Sequence, residues 1–211
     1  MRAMILCVIA LWVSSASAFN QAHVDQLRNT RSCPNCDLSG YNFDGVDLTG
    51  VNLTGANLTG ANLHTFGRNA NFTGATFTGA AFAQSDFQGA NFSRANLSSV
   101  NFGGDGLNTA SLSGANFTGA NLSRANLNGG NIYDVNFSGA NLSGARLRGA
   151  TVARANFSGA NLSGADLFRA NFTGANFTGA NLTGANLVDA NPSCAYLSGA
   201  KLDGAIGFKC Y

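Results

Sequence analysis

Glutamate is absent from the 211-residue chain: every acidic side chain is Asp, and there are only two His. So few acids and bases leave little material for general acid–base work, and no Ser/His/Asp or Cys/His constellation is apparent. Charge of either sign is scarce. Only 10% of residues are charged and the formal net charge is +2, too little to attract nucleic acid or an anionic membrane surface. Beyond Ala18 no long apolar run occurs, so no later segment reads as a membrane span. No P-loop is present, and Gly104-x-Gly106 is too short and badly placed for a dinucleotide fingerprint.

The start of the chain reads as a secretory leader. Arg2 supplies the positive end, Met4 to Val13 the apolar stretch, and Ala16-Ser17-Ala18 a small-x-small cleavage site. Residues 1–18 are therefore expected to be a signal peptide, with the mature chain starting near Phe19 in a secreted or periplasmic compartment. Phe directly after Ala-Ser-Ala also resembles some bipartite plastid leaders, which keeps a plastid or thylakoid lumen as the alternative. Removing the leader lowers the net charge to about +1 and leaves four cysteines, Cys33, Cys36, Cys194 and Cys210. An even count in an exported chain favours disulfides.

What the chain does have is one phrase repeated: Ala, Asn, Leu or Phe, Ser or Thr, Gly, as in Ala115-Asn116-Phe117-Thr118-Gly119. A period of five suits neither a helix at 3.6 residues nor a strand at 2, and a short period carried this far marks a solenoid. The large apolar residue is taken as the centre of each pentad. Centres run Leu38, Phe43, Leu48, Leu53, Leu58 and Leu63, then resume at Phe72 and continue at every fifth residue to Leu202, with Pro192 the exception. The interval from Leu63 to Phe72 is one residue short of two pentads, so residues 64–69 are expected to be a register-breaking loop. The resulting division is a cap at 19–36, a first repeat tract at 37–63, the loop, a main tract at 70–204 and a C-terminal tail at 205–211.

These pentads resemble the pentapeptide-repeat family, whose consensus is Ala-(Asp/Asn)-Leu-x-x. The resemblance implies an all-β fold, a right-handed quadrilateral β-helix in which four pentads make one square coil. Charge spacing supports that coil independently: Asp134 and Arg154, Arg146 and Asp166, and Arg169 and Asp189 are opposite charges exactly four pentads apart in number. Stacked at roughly 4.8 Å, such residues are vertical neighbours. Centre and preceding Ala both point into a narrow core, so one must be large and the other small. Both ends of such a rod expose strand edges and need caps. A short capping helix is expected within 19–30, with Ala22, Val24 and Leu27 as its apolar side. The Cys33-Pro34-Asn35-Cys36 turn is expected to be a structural cystine, and Cys194 with Cys210 to tie down the tail. Some members of the family protect DNA gyrase by imitating duplex DNA, which calls for a strongly acidic cytosolic rod. This near-neutral, leader-bearing chain departs from that pattern, and no nucleic-acid role is carried over.

Asp105 falls where nearly every other pentad has Ala, and the surrounding glycines favour a local bulge that turns it outward. Asp37, Asp44 and Asp47 cluster in sequence but lack EF-hand spacing. No catalytic residue, cofactor or metal site is expected. The candidate contact residues are His64 and Arg68 in the loop, with Arg146, Arg148, Asp166, Phe168, Arg169 and Asp189 on one charged side. Counting by twenties also assembles a neutral column, Thr78, Ser98, Thr118, Ser138, Ser158, Thr178 and Ser198, with Phe77, Leu97, Phe117, Phe137, Phe157 and Phe177 beneath it. The charged side fits an unidentified protein partner. The flat hydroxyl side, Thr118, Ser138, Ser158 and Thr178 above all, fits a polysaccharide or ice. The chain is expected to be a non-enzymatic, monomeric scaffold.

Overall fold

The computed structural model describes residues 19–104, 109–193 and 195–207. It opens with one helix, α1, Gln21–Thr30. Asn20 caps it by accepting the Ala22 amide at 3.0 Å, and Arg31 ends it in the left-handed region, its amide donating to the Leu27 carbonyl. Val24 and Leu27 are buried on the first coil, whereas Ala22 is exposed, so the apolar side is narrower than its sequence suggests. Cys33 and Cys36 are joined by a disulfide and both are buried, Cys33 as a centre and Cys36 at an Ala position. The expected bridge between Cys194 and Cys210 falls outside the described residues, as do the end of the tail and Asp105.

From Ser32 onward most pentads contribute one parallel bridge to the coil above and one to the coil below, mostly at intervals of four pentads. Four bridges per circuit make a four-sided β-solenoid, whose sides are here numbered walls one to four. Residues 136–140 show why the pentad has its composition. The Asn136 amide donates down to Ala115 (3.0 Å), Phe137 donates up to Asn156 (2.7 Å), and Gly139 donates up to Ser158 (2.9 Å). Ala140 closes the corner on the Phe137 carbonyl (3.0 Å). The Ser138 amide remains, and the Asn136 side-chain oxygen takes it at 3.0 Å. All five backbone donors are thus satisfied by one short phrase. The Asn also has a donor to spare, and Asn156 Nδ2 reaches Asn136 Oδ1 at 3.3 Å. Asp could accept from the turn and from the coil above but has no donor for the coil below.

Inside, the described centres and inward Ala residues are almost fully buried from Ala70 to Leu187, whereas Leu197 and Leu202 in the last coil are only partly covered. Wall one carries six stacked rings, Phe72, Phe92, Phe117, Phe137, Phe157 and Phe177, with centroids 4.8–5.2 Å apart and planes within 18°. Parallel contacts of this kind add about 0.5–1.5 kcal/mol each beyond burial.

Two irregularities change the register. Asp47 pairs with Phe66, so that coil is one residue short of four pentads. The break lies at residues 64–65, but the chain does not leave the wall as the expected loop would. The corner after Leu63 is the place where the residue is missing. Thr65 then takes the inward position, its hydroxyl donating to the Val46 carbonyl, and Phe66-Gly67-Arg68 forms an ordinary wall-four side. Gly67 is the missing centre, and the Phe87 ring of the next coil fills its place. Farther on, Asp86 pairs with Ser111 across five pentads instead of four, and the Ala110 amide bonds back to the Phe102 carbonyl at 2.9 Å. The corner between Phe102 and Ala110 therefore spans five residues more than the others. Because the insert is a full pentad, the letter period survives while every later pentad moves round by one wall. The hydroxyl column obtained by twenties is consequently two columns. Thr78 and Ser98 stand on wall two and continue to Ser123, whereas Thr118, Ser138, Ser158, Thr178 and Ser198 stand on wall one above Thr73 and Ser93. Likewise Phe117 stacks on Phe92, not on Leu97.

A Cβ at Gly67 would lie 2.1 Å from a Phe87 ring carbon, and that ring is held by Phe72, Phe82 and Phe92. Gly67→Ala should cost about 1–3 kcal/mol, the usual scale of overpacking. Adding Phe87→Leu should recover much of the loss in urea unfolding. Equal stability of Gly67→Ala and the parent would contradict this packing.

Candidate functional site

Wall three gathers the charged candidates. Asp166 accepts from its own turn at Phe168 N (3.2 Å) and from Asn186 Nδ2 (3.1 Å), while its other oxygen lies 3.6 Å from Arg148 Nη1. Arg146 bridges directly to Asp166 through the backbone, but the ion pair is made by Arg148. Phe168, half-buried, has the guanidinium carbons of Arg148 and Arg169 each 4.8 Å from its ring centre. Asp189 pairs with Arg169 at 3.4 Å. Arg169 and Asp189 both occupy the left-handed corner position that Gly holds in most pentads, with φ near 56° and 58°. An aromatic ring contacted by two cations, with a carboxylate beside each cation, is a compact recognition surface.

The other candidates are not brought together. His64 projects from wall three, its Nδ1 3.2 Å from Asp44, whereas Arg68 projects from wall four, its Nε 2.6 Å from Asp86. Asp37, Asp44 and Asp47 lie on three successive walls, so their carboxylates cannot converge on one ion. Among the described residues no group of three or more metal-ligating side chains comes together. Under α1 a cavity of about 210 Å³ is lined by Val24, Leu27, Phe43 and Leu48, with Arg28 and Arg31 at its edge. Arg28 is occupied by the Tyr41 hydroxyl at 2.8 Å.

The hydroxyl candidates do share wall one, in an uninterrupted column from Thr54 to Ser198. Several of these hydroxyls are turned inward along the wall. Thr118 donates to Asn116 at 2.6 Å, and Ser138 and Ser158 meet each other at 3.2 Å.

Two exposed aromatics on wall four were not singled out from sequence. Phe66 is 60% exposed and Tyr133 is 40% exposed. The signal for Phe66 was an aromatic residue just before a centre, where the consensus has Asn. It was unreadable because its centre, Gly67, does not resemble one. Asp134, beside Tyr133, forms a two-point ion pair with Arg154, whose Nε lies 2.7 Å from Oδ1. The hydrogen bond from Arg154 and its charge hold the Asp134 carboxyl below the usual range.

The geometry defines a β-solenoid built on a five-residue unit, with its chemistry on the walls. A sequence profile of pentapeptide repeats matches residues 35–64, 68–104, 107–139, 136–174 and 170–206, and the chain belongs to that family. Among solved structures it is similar to HetL, a protein involved in heterocyst differentiation regulation from the cyanobacterium Nostoc sp. strain PCC 7120. That match has 28% identity over 91% of this chain and 100% of that one, with a TM-score of 0.35. A thylakoid-lumen pentapeptide repeat protein from Arabidopsis thaliana is 29% identical over 53% of this chain and 65% of its own, with a TM-score of 0.36. QnrB1, a plasmid-mediated fluoroquinolone resistance protein, is 22% identical over 82% of this chain and 80% of its own, with a TM-score of 0.37. No curated protein matches the chain significantly.

The N-terminal coil should respond to acid. Asp37 accepts from the Ser39 hydroxyl at 2.7 Å, from the Ser39 amide at 3.2 Å and from Asn57 at 3.1 Å. Those hydrogen bonds, the hydroxyl foremost, lower its pKa. A lowered folded pKa means that this contribution is present at neutral pH. It is lost as pH falls from about 4 through the folded value. Asp37→Asn should therefore lose less thermal stability than the parent between neutral and strongly acid pH. Identical losses in the two proteins would remove Asp37 from the account.

Proposed function

We propose that this chain is an exported, non-enzymatic scaffold, a right-handed quadrilateral β-helix that docks a protein partner on wall three. The observation that carries this reading is the Phe168 ring with the guanidinium carbons of both Arg148 and Arg169 over it at 4.8 Å. Phe and Arg are among the residue types enriched at the cores of protein interfaces. Rigid neighbouring coils hold them in place, so little side-chain entropy is lost on contact. A partner offering a carboxylate to the Arg edges and an apolar side chain to the ring fits this surface.

Export rests on the leader at 1–18, and the buried Cys33–Cys36 disulfide suits an oxidising compartment. The compartment proposed is secreted or periplasmic, with a plastid or thylakoid lumen as the alternative. Among the described residues no helix is long and apolar enough to cross a membrane. The mature chain is proposed to be a monomer that starts near Phe19, whose ring packs on Tyr41 at 4.9 Å. The hydroxyl column of wall one is assigned to stability rather than to an ice or glycan contact, since its hydroxyls and amides bond to one another.

Charge reversal tests the site. Arg148→Glu with Arg169→Glu should reduce partner recovery from the native exported fraction by about tenfold or more. Phe168→Ala should do the same, with the circular dichroism of all variants unchanged. A partner recovered equally by parent and variants would remove wall three from the function.

A further inference from the structure

Wall four presents two exposed aromatic rings, Phe66 and Tyr133, whereas wall one exposes Tyr196 alone and wall three the aliphatic Ile206, both in the last coil. The two rings of wall four are separated by three coils, since Phe66 pairs with Asp86, Asp86 with Ser111, and Asn131 stands in the coil above. At strand spacing that places the rings about 15 Å apart along the rod. Each borders a shallow groove, about 370 Å³ beside Phe66 and about 490 Å³ beside Tyr133. Each also sits next to an Arg–Asp ion pair, Arg68 with Asp86 and Arg154 with Asp134.

We propose that wall four is a carbohydrate-binding face that takes a neutral, linear oligosaccharide lying along the rod axis. Three observations select this occupant over a protein. The rings are isolated rather than contiguous, so they cannot form the dry apolar centre of a protein interface. The wall between them is amide and hydroxyl, with Gln88 donating to Ser111 at 3.0 Å, and a polyhydroxyl chain can exchange hydrogen bonds with such groups. The charges beside each ring are balanced, Arg68 by Asp86, Arg154 by Asp134 and Asp47 below Phe66 by the charge of Arg31, leaving little field to draw a charged peptide. A sugar ring presents an apolar C–H face that packs on the negative face of an aromatic ring. Ala153, which lines the groove beside Tyr133, is too small to cover that ring. This inference is independent of the protein contact on wall three and uses none of its residues.

The full chain would be titrated by calorimetry with cellohexaose, chitohexaose, xylohexaose, laminarihexaose, maltohexaose and mannohexaose, and with the trisaccharide of any that binds. At least one hexaose should bind, and more tightly than its trisaccharide. Phe66→Ala and Tyr133→Ala should each weaken it by about tenfold or more, the scale of one lost aromatic contact. Tyr133→Phe should retain binding, and Tyr133→Ala should abolish the advantage of the longer sugar. Arg148→Glu, on wall three, should leave sugar affinity unchanged, which separates this test from that of the protein contact. Failure of every hexaose to bind would overturn the proposal. So would binding indifferent to both alanine variants, or a protein partner that needs Phe66 and Tyr133 while no sugar is retained.

Discussion

The backbone amide that no neighbouring coil can reach governs this protein. In each pentad three amides bond to adjacent coils and one closes the corner, and the residue after the centre is left with an unpaired donor. Leaving such a donor unsatisfied on every side would cost about 1–3 kcal/mol each time. Asn before the centre removes that cost with its side-chain oxygen, and its amide group then bonds to the Asn one coil away. The repeated Asn is therefore a structural residue. It also makes the walls flat and neutral, because a wall of stacked Asp would gather like charge at coil spacing.

Once the coils are in vertical register, the other features follow. Six Phe rings stack because their centres lie one above another, and Arg154 meets Asp134 for the same reason. Both departures from register occur at the corner between walls three and four, the short corner after Leu63 and the corner after Phe102 that spans five additional residues. Walls one and two therefore keep their register throughout, with long hydroxyl columns, although Thr76 replaces an Asn on wall two and Tyr196 ends the Asn column of wall one. Most of the irregular side chains lie on the other two walls: Phe168 with its two arginines on wall three, and the exposed Phe66 and Tyr133 on wall four. Regular walls supply stability, and irregular ones carry what differs from coil to coil.

The two irregularities were not equally visible in the residues. A one-residue deletion breaks a period of five, so the interval from Leu63 to Phe72 announced it. The form it took was hidden, because Gly67 stands at a centre and borrows the Phe87 ring. A whole inserted pentad breaks nothing in the letters. It moved Thr118 and its successors from wall two to wall one and invalidated counting by twenties across residue 105. The charge pairs all lay beyond that point, which is why their spacing remained a sound ruler.

Period, capping helix, inward Ala and outward Asn were legible in the chain alone, because each is a local consequence of side-chain size and hydrogen-bonding capacity within one pentad or one helical turn. Which wall a residue occupies was settled only in three dimensions. Wall identity depends on the number of residues in every preceding coil, and a corner can lose one residue or gain five without disturbing the pentads on either side. The partnering of Asp166 with Arg148 rather than Arg146 belongs to the same class. It depends on the direction of side chains leaving adjacent coils, and spacing along the chain carries no information about that.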